Sequence, residues 1–463
     1  MEYVSTRGGA PVANFETVLL AGLAPDGGLY VPRHWPSFSE NDLDGFRDRP
    51  YADVAASVLA KFTQGTFSEA LLKEMAQKVY RRFDHPETAP LREYSGDQYI
   101  LELFHGPTLA FKDFAMQILG AMFDYVLERS GKRLTVLAAT SGDTGAAAID
   151  ALAPCKFVDI VVLHPENRVT EVQRRMMTCI DAPNVVNLAV KGSFDDCQAI
   201  VKDLFQDRAF VDATNLSGVN SINWARIAAQ TVYYFTTLSK FDAAQQVSFA
   251  VPTGNFGDIF AGYVAKKMGA KIDKLIVATN ANDILHRALS AGDYSTRSVC
   301  ATAAPSMDIQ IASNFERILF DAMGRDHQRL ENEMVAFKNT ASMQISKKIQ
   351  NAIQEDFVSY AADDQQTLDE MALHYKEHAE QIDPHTAIGR IAAKLGRENG
   401  IEGPIVTLST AHPAKFPDAV KQATRVNPPL PLRHQSLFDR PEIMSTVIPQ
   451  TDAVKSFIMT RLA

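Results

Sequence analysis

Four cysteines in a chain of 463 residues leave little room for disulfide or zinc architecture. Cys155, Cys179, Cys197 and Cys300 are widely scattered with no CxxC pair, which fits neither a disulfide framework nor a metal site. A reduced, cytoplasmic protein is the plain expectation. No segment approaches the roughly 18 consecutive apolar residues that a membrane span needs. The opening MEYVSTRGGAPVANFE lacks a basic region leading into an apolar stretch, so no signal peptide is expected. Dense Lys/Arg runs are absent and the net charge is −9, which argues against a general nucleic-acid binder. There is no HExxH, no GxSxG elbow around Ser141, no GK[ST] and no GxGxxG. Zinc-protease, serine-hydrolase, Walker and dinucleotide readings therefore lose their support. His374 and His378 have helical spacing but no evident third ligand; a solvated helix face is expected there and no metal. Repeats and low-complexity segments are also missing.

What is present is an ordinary globular composition, 46% apolar and 22% charged, with material for two or three domains. Residues 1–92 mix short helical patterns with turn signals such as PDGG. Beyond them, apolar β-branched runs alternate with helical patterns. LTVLAAT (134–140), VDIVVL (158–163), NVVNLAV (184–190), VSFAVPT (247–253), KLIVAT (274–279) and PIVTLST (404–410) are the strand candidates. Strands apolar throughout and separated by helices imply an α/β fold with parallel pairing and helices on both faces. Residues 283–380 are polar and helical in pattern, with a long amphipathic stretch near 341–380, and are expected to form a helical insertion before the last strand.

Five segments carry chemistry. In HGPTLAFKDFAMQ (105–117), Thr108 is a reasonable helix N-cap and Lys112 falls in or near the first turn. Apolar neighbours and the positive end of the helix would both push its amine toward the neutral nucleophile. The plain alternative is a surface lysine. In VPTGNFGDIFAG (251–262), a strand ends in Gly254-Asn255-Phe256-Gly257 and a helix follows. This is a phosphate cradle by geometry, or simply a tight turn that needs glycine. AATSGDTGAAA (138–148) has the same form and carries Thr140, Ser141, Gly142, Asp143 and Thr144, groups suited to a carboxylate or to capping a helix. SGVNSINWARIAAQ (217–230) offers Asn220, Ser221 and Arg226 as phosphate donors, against an exposed helical arginine. LSTAHPAKFPDA (408–419) places Thr410 at a strand end, where α/β folds hold ligands, followed by His412 and Lys415.

Taken in order, with YVSTRG (3–8) and APDGGLYVP (24–32), these motifs resemble the threonine synthases, fold-type II pyridoxal-phosphate enzymes related to the tryptophan synthase β chain. The resemblance covers essentially the whole chain and is closest to the longer subgroup. It implies an N-terminal threonine-synthase domain over 1–92 and a catalytic region over 93–463, made of two α/β subdomains with the active site between them. It implies pyridoxal 5'-phosphate (PLP) held as a Schiff base on Lys112, with its phosphate on Gly254, Asn255, Phe256 and Gly257 and its ring nitrogen at Thr410. Asp143 would face the ring oxygen, where many fold-type II enzymes have Asn. Thr140, Ser141, Gly142 and Thr144 would bind the α-carboxylate, and Asn220, Ser221 and Arg226 the substrate phosphate. The implied reaction is that of a carbon–oxygen lyase acting on phosphate. It converts O-phospho-L-homoserine and water to L-threonine and phosphate, the last step of threonine biosynthesis. A serine/threonine dehydratase, a cysteine-synthase relative and a non-catalytic cofactor binder remain as rivals, and both a monomer and a homodimer remain open.

Overall fold

The computed structural model describes residues 1–219 and 221–462, so the expectation for Asn220 lies outside the described residues. Two sheets organise the chain. The larger has six strands in the order Phe357–Ala361, Ile272–Thr279, Val247–Pro252, Ile405–Ser409, Gln98–Glu102, Leu91–Ser95. All its pairs are parallel except the last. The smaller has five parallel strands in the order Ser445–Val447, Val185–Val190, Val158–Pro165, Leu134–Ala139, Leu216–Ser217. Helices cover both sheets, so Val185–Val190 and Val247–Pro252 are buried at every position. That is why these strands are written in apolar, β-branched residues without alternation.

All six strand candidates form as expected, with small shifts at their ends. The region 283–380 departs from its expectation. It is not simply helical, because Phe357–Ala361 extends the large sheet beside Ile272–Thr279 and Asp293–Ser295 pairs with Ser342–Gln344. The stretch near 341–380 is therefore divided into the helix Lys347–Gln354, that edge strand, and the helix Asp364–His378 opened by an Asp363 capping box. A five-residue strand among Gln, Asp and Glu has no strong local signal. It forms because Phe357, Val358 and Tyr360 meet the open edge of Ile272–Thr279. His374 likewise corrects its expectation. It is buried against the Tyr94 ring, and burial pushes its imidazole down to about 3, so it is no solvated face.

The N-terminal residues brace the helix that carries Lys112. Tyr51, Tyr80 and Phe83 pack their rings on Phe114, two positions after the lysine, at 5.4, 6.3 and 4.8 Å. The Tyr80 hydroxyl donates to Phe114 O at 2.9 Å. The strand Leu91–Ser95 spans the expected junction near 92 and belongs to the large sheet. Buried Arg317 ties the N-terminal strand Tyr30–Pro32 inward, donating to Tyr30 O and, at 2.6 Å, to Ile222 O.

Candidate active site

A cleft of about 1280 Å³ runs between the two sheets, at the C-terminal ends of their strands. This is where open parallel sheets place ligands, because the strand order leaves a crevice and helices start there. The helix Lys112–Ser130 begins at the floor of the cleft. Phe111, not Thr108, is its N-cap residue, which corrects the expectation from sequence. Thr108 instead turns onto Asp113, donating its amide at 2.7 Å and its hydroxyl at 2.6 Å to the carboxylate. The loop before the helix is sewn to the strand end opposite: Phe111 N donates to Thr410 O at 2.9 Å and His412 N to Leu109 O at 3.0 Å. Lys112 is thereby fixed beside Thr410.

The Lys112 side chain is only 12% exposed and its Nζ lies 3.3 Å from Asp143 Oδ2. Burial is the main influence on its amine and pushes the pKa below the usual lysine value. Asp143 opposes that shift, while Lys415 and Arg226 add to it. Asp143 opens the helix Asp143–Leu152 and is nearly enclosed. Its carboxylate accepts Gln173 Nε2 at 2.9 Å and Ser306 Oγ at 3.1 Å, and faces Lys415 Nζ at 2.8 Å. Burial pushes its pKa up, but Lys112, Lys415 and Gln173 outweigh burial and hold it well below the carboxylate range.

Of the neighbouring residues, Thr140, Ser141 and Thr144 line the cleft. The Thr140 oxygen also accepts from the amides of Gly142 and Gly145 at 3.0 and 2.9 Å, so it caps the helix start. Gly142 is not on the lining. Its φ of +132° suits glycine alone, and an added Cβ would come within 2.5 Å of the Gln173 amide carbon. Gly142→Ala is expected to lower stability by about 1–3 kcal/mol, read as a fall in melting temperature; an unchanged melting curve would refute this.

On the facing wall, Gly254, Asn255, Phe256 and Gly257 line the cleft where the strand Val247–Pro252 gives way to the helix Gly257–Lys267. Phe256 is left-handed at φ 62° and is held there by the rings of Phe315 and Phe357 at 5.4 and 5.5 Å. A Cβ on Gly254 would meet Ser306 O at 2.9 Å. Asn314 spans two loops, donating Nδ2 to Asn255 O at 3.0 Å and to Ser221 O at 3.2 Å. Ser221 and Arg226 therefore stand beside the glycine turn and share its cleft. Arg226 is buried; one Nη donates to Val219 O at 3.0 Å and its Nε has no partner among the described residues. Burial pushes its pKa down to about 10, which leaves it cationic at neutral pH.

Several groups at the cleft carry little signal in the sequence. Ser306 and Asn314 come from the region expected to be a helical insertion. Gln173 becomes visible only through its contact with Asp143, and Lys415, singled out in sequence after Thr410, lies behind the lining on the same carboxylate. His385 lines the cleft with Nδ1 2.7 Å from Asp383 Oδ2, leaving Nε2 unpartnered among the described residues. Asp258 follows the glycine turn and accepts the Tyr234 hydroxyl at 3.2 Å as well as that of Tyr233. Burial pushes Asp258 up to about 7, against those two hydrogen bonds. Its proton is held more tightly in the folded chain than in the unfolded one, where the pKa is about 3.9. That contribution to stability is complete below about pH 4 and fades as pH rises through about 7. Asp258→Asn, neutral at every pH, is expected to melt progressively higher relative to the parent protein between pH 5 and pH 8. A constant difference across that range would refute the titration.

The residues present fit a phosphorylated aldehyde. A buried amine of lowered basicity and a glycine turn at a helix start share one cleft, and the buried Arg226 Nε beside that turn has no partner among the described residues. The chain matches the family model "Pyridoxal-phosphate dependent enzyme" over residues 88–351, and belongs to that class with a fold-type II architecture. Flanking it, "Threonine synthase N terminus" matches residues 2–80 and "Threonine synthase, C-terminal" residues 386–458. A threonine synthase of Pseudomonas aeruginosa is 48% identical over 99% of this chain and 98% of its own. The crystal structure of a PLP-bound threonine synthase from Brucella melitensis superposes with a TM-score of 0.96 at 48% identity, covering 100% of this chain and 99% of that one. The yeast threonine synthase gives a TM-score of 0.93 at 37% identity, covering 100% and 98%. The chain belongs to the threonine synthase family.

Proposed function

We propose that this cleft converts O-phospho-L-homoserine and water to L-threonine and phosphate, with Lys112 as the residue that holds the cofactor and moves the protons. The observation that carries this reading is the shared cleft: an amine of lowered basicity, a glycine turn at a helix start, and a second anion device in Arg226. When bound, PLP supplies the electron sink that makes the substrate's Cα and then Cβ protons acidic. The Gly254–Gly257 turn would take the cofactor phosphate on helix-start amides, and Thr410 would offer a neutral hydroxyl to the ring nitrogen. Asp143 would lie at the ring oxygen.

Lys112, once free of the cofactor, is suited to accept a proton at Nζ because burial weakens its hold on charge. Ser141, Thr144 and the amides at the start of the helix Asp143–Leu152 would hold the α-carboxylate. Thr140 would contribute indirectly through its cap, and Gly142 through its backbone. Ser221 and Arg226, with Asn220, would hold the substrate phosphate until it leaves from Cγ. Residues 1–92 would then act as the N-terminal domain bracing the Lys112 helix within the catalytic region 93–463.

The test is one assay with two readouts, phosphate release and threonine formation from O-phospho-L-homoserine by the cofactor-loaded protein. Equal rates of both support the reading. Loaded protein that releases no phosphate would leave only a cofactor binder. Turnover of serine or threonine to a keto acid without phosphohomoserine turnover would favour a dehydratase.

A further inference from the structure

Lys415 is wholly buried, yet none of the roles above uses its ammonium. Its Nζ lies 2.8 Å from Asp143 Oδ1 and donates to Thr108 O at 2.7 Å. Its own backbone oxygen accepts the Thr170 hydroxyl at 3.1 Å, and Thr170 caps the helix that carries Gln173. Five segments thus meet at one carboxylate: 108–113, 140–144, 170–173, 412–415 and the one that carries Ser306. Asp143 faces two cations, Lys112 through Oδ2 and Lys415 through Oδ1. Only Lys112 can give up its charge by bonding to an aldehyde in the cleft. Lys415 is not among the residues that line the cleft, and it meets the site through Asp143.

We propose that Lys415 is a positioning residue for Asp143. It holds that carboxylate aimed at the Lys112 nitrogen, and it offsets the carboxylate's charge as felt at that nitrogen. Without such a partner the buried carboxylate bears on the Lys112 nitrogen with its whole charge, which favours the protonated form of that nitrogen. This rests on the reading of Lys112 and Asp143 as cofactor-facing groups.

The other charged or titratable groups facing this cluster are few. Arg226 acts on Lys112 from the helix Trp224–Leu238, and Asp113 sits on the other side of Thr108. Burial pushes Asp113 up to about 6. His412 and His434 are near Lys415, and burial pushes each down to about 4, so both are neutral at neutral pH. Neither can replace the charge of Lys415.

The experiment is a pH titration of the near-visible absorption band of the cofactor-loaded protein. Where the midpoint lies outside the stable range, the ratio of the two absorbing forms at fixed pH serves instead. Lys415→Met leaves Asp143 uncompensated, so the Lys112 nitrogen holds its proton more tightly and the midpoint rises by about 1–3 pH units. Asp143→Asn leaves Lys415 uncompensated and lowers the midpoint by a similar amount. Lys415→Arg keeps the charge and holds the midpoint near that of the parent protein. Should Lys415→Met not fold, the same charge is removed by comparing Asp143→Asn with Asp143→Asn/Lys415→Met, where the double variant titrates higher. A midpoint that is unmoved or lowered on loss of Lys415, in either background, would overturn the proposal and leave Lys415 as a structural tie to Thr108. A band that survives in Lys112→Ala would instead overturn the Lys112 assignment, and this inference with it.

Discussion

Lys112→Ala forms no threonine from O-phospho-L-homoserine and loses the near-visible absorption of lysine-bound cofactor. The expected fall in turnover is at least about 10⁴-fold, because the substitution removes both the covalent anchor and the group that carries the protons. The alternative site is close at hand, since Lys415 is also buried and faces the same carboxylate. Its ammonium is committed to Asp143 and to Thr108 O, however, and it lies behind the cleft lining. Borohydride trapping of the loaded parent protein followed by peptide mapping decides between them. Label on the peptide containing Lys112 supports the assignment; label on the Lys415 peptide, or an intact band in Lys112→Ala, refutes it.

Arg226→Ala should weaken kcat/KM for O-phospho-L-homoserine by roughly 30-fold to several thousand-fold, which corresponds to about 2–5 kcal/mol for removing one partner of a buried charge pair. Arg226→Lys keeps a charge but not the planar fork and should recover only part of the loss. The neighbourhood makes a second measurement necessary. Asn314 joins the Ser221 loop to the glycine turn, so Arg226 stands next to the proposed cofactor cradle. If Arg226 serves the substrate, the loss appears in kinetics while PLP affinity is held. If PLP affinity falls instead and substrate kinetics recover at saturating cofactor, Arg226 belongs to the cofactor phosphate.

How much of the site the sequence disclosed depended on whether a group sits in a contiguous turn. The glycine turn 254–257, the loop 140–144 and Thr410 each lie where a strand gives way to a turn, and a strand end followed by a helix is a local pattern. All three are legible in the sequence as strand ends that pass into turns. The Thr108 cap was misjudged for a related reason. Thr108 has the right chemistry, but Asp113 offers it a carboxylate five residues on, and the chain turns to use it. Ser306 and Asn314 were hidden inside a polar stretch that looked helical. Their function comes from lying over Asp143 and across the glycine turn, at sequence separations of 163 and 59 residues.

By itself the sequence determined the alternation of buried strands and helices, the family, the cofactor class and the lysine expected to hold it. The alternation follows from periodicity; the family, the cofactor class and the lysine follow from the resemblance that the ordered motifs carry. Only the tertiary structure decided which charges meet. Whether Asp143 is ionised, whether Lys112 is pressed toward neutrality, and what Lys415 is for all depend on burial and on distances between segments far apart in the chain. Electrostatic energy is set by separation in space and by exclusion of water, and neither quantity is written in the order of residues.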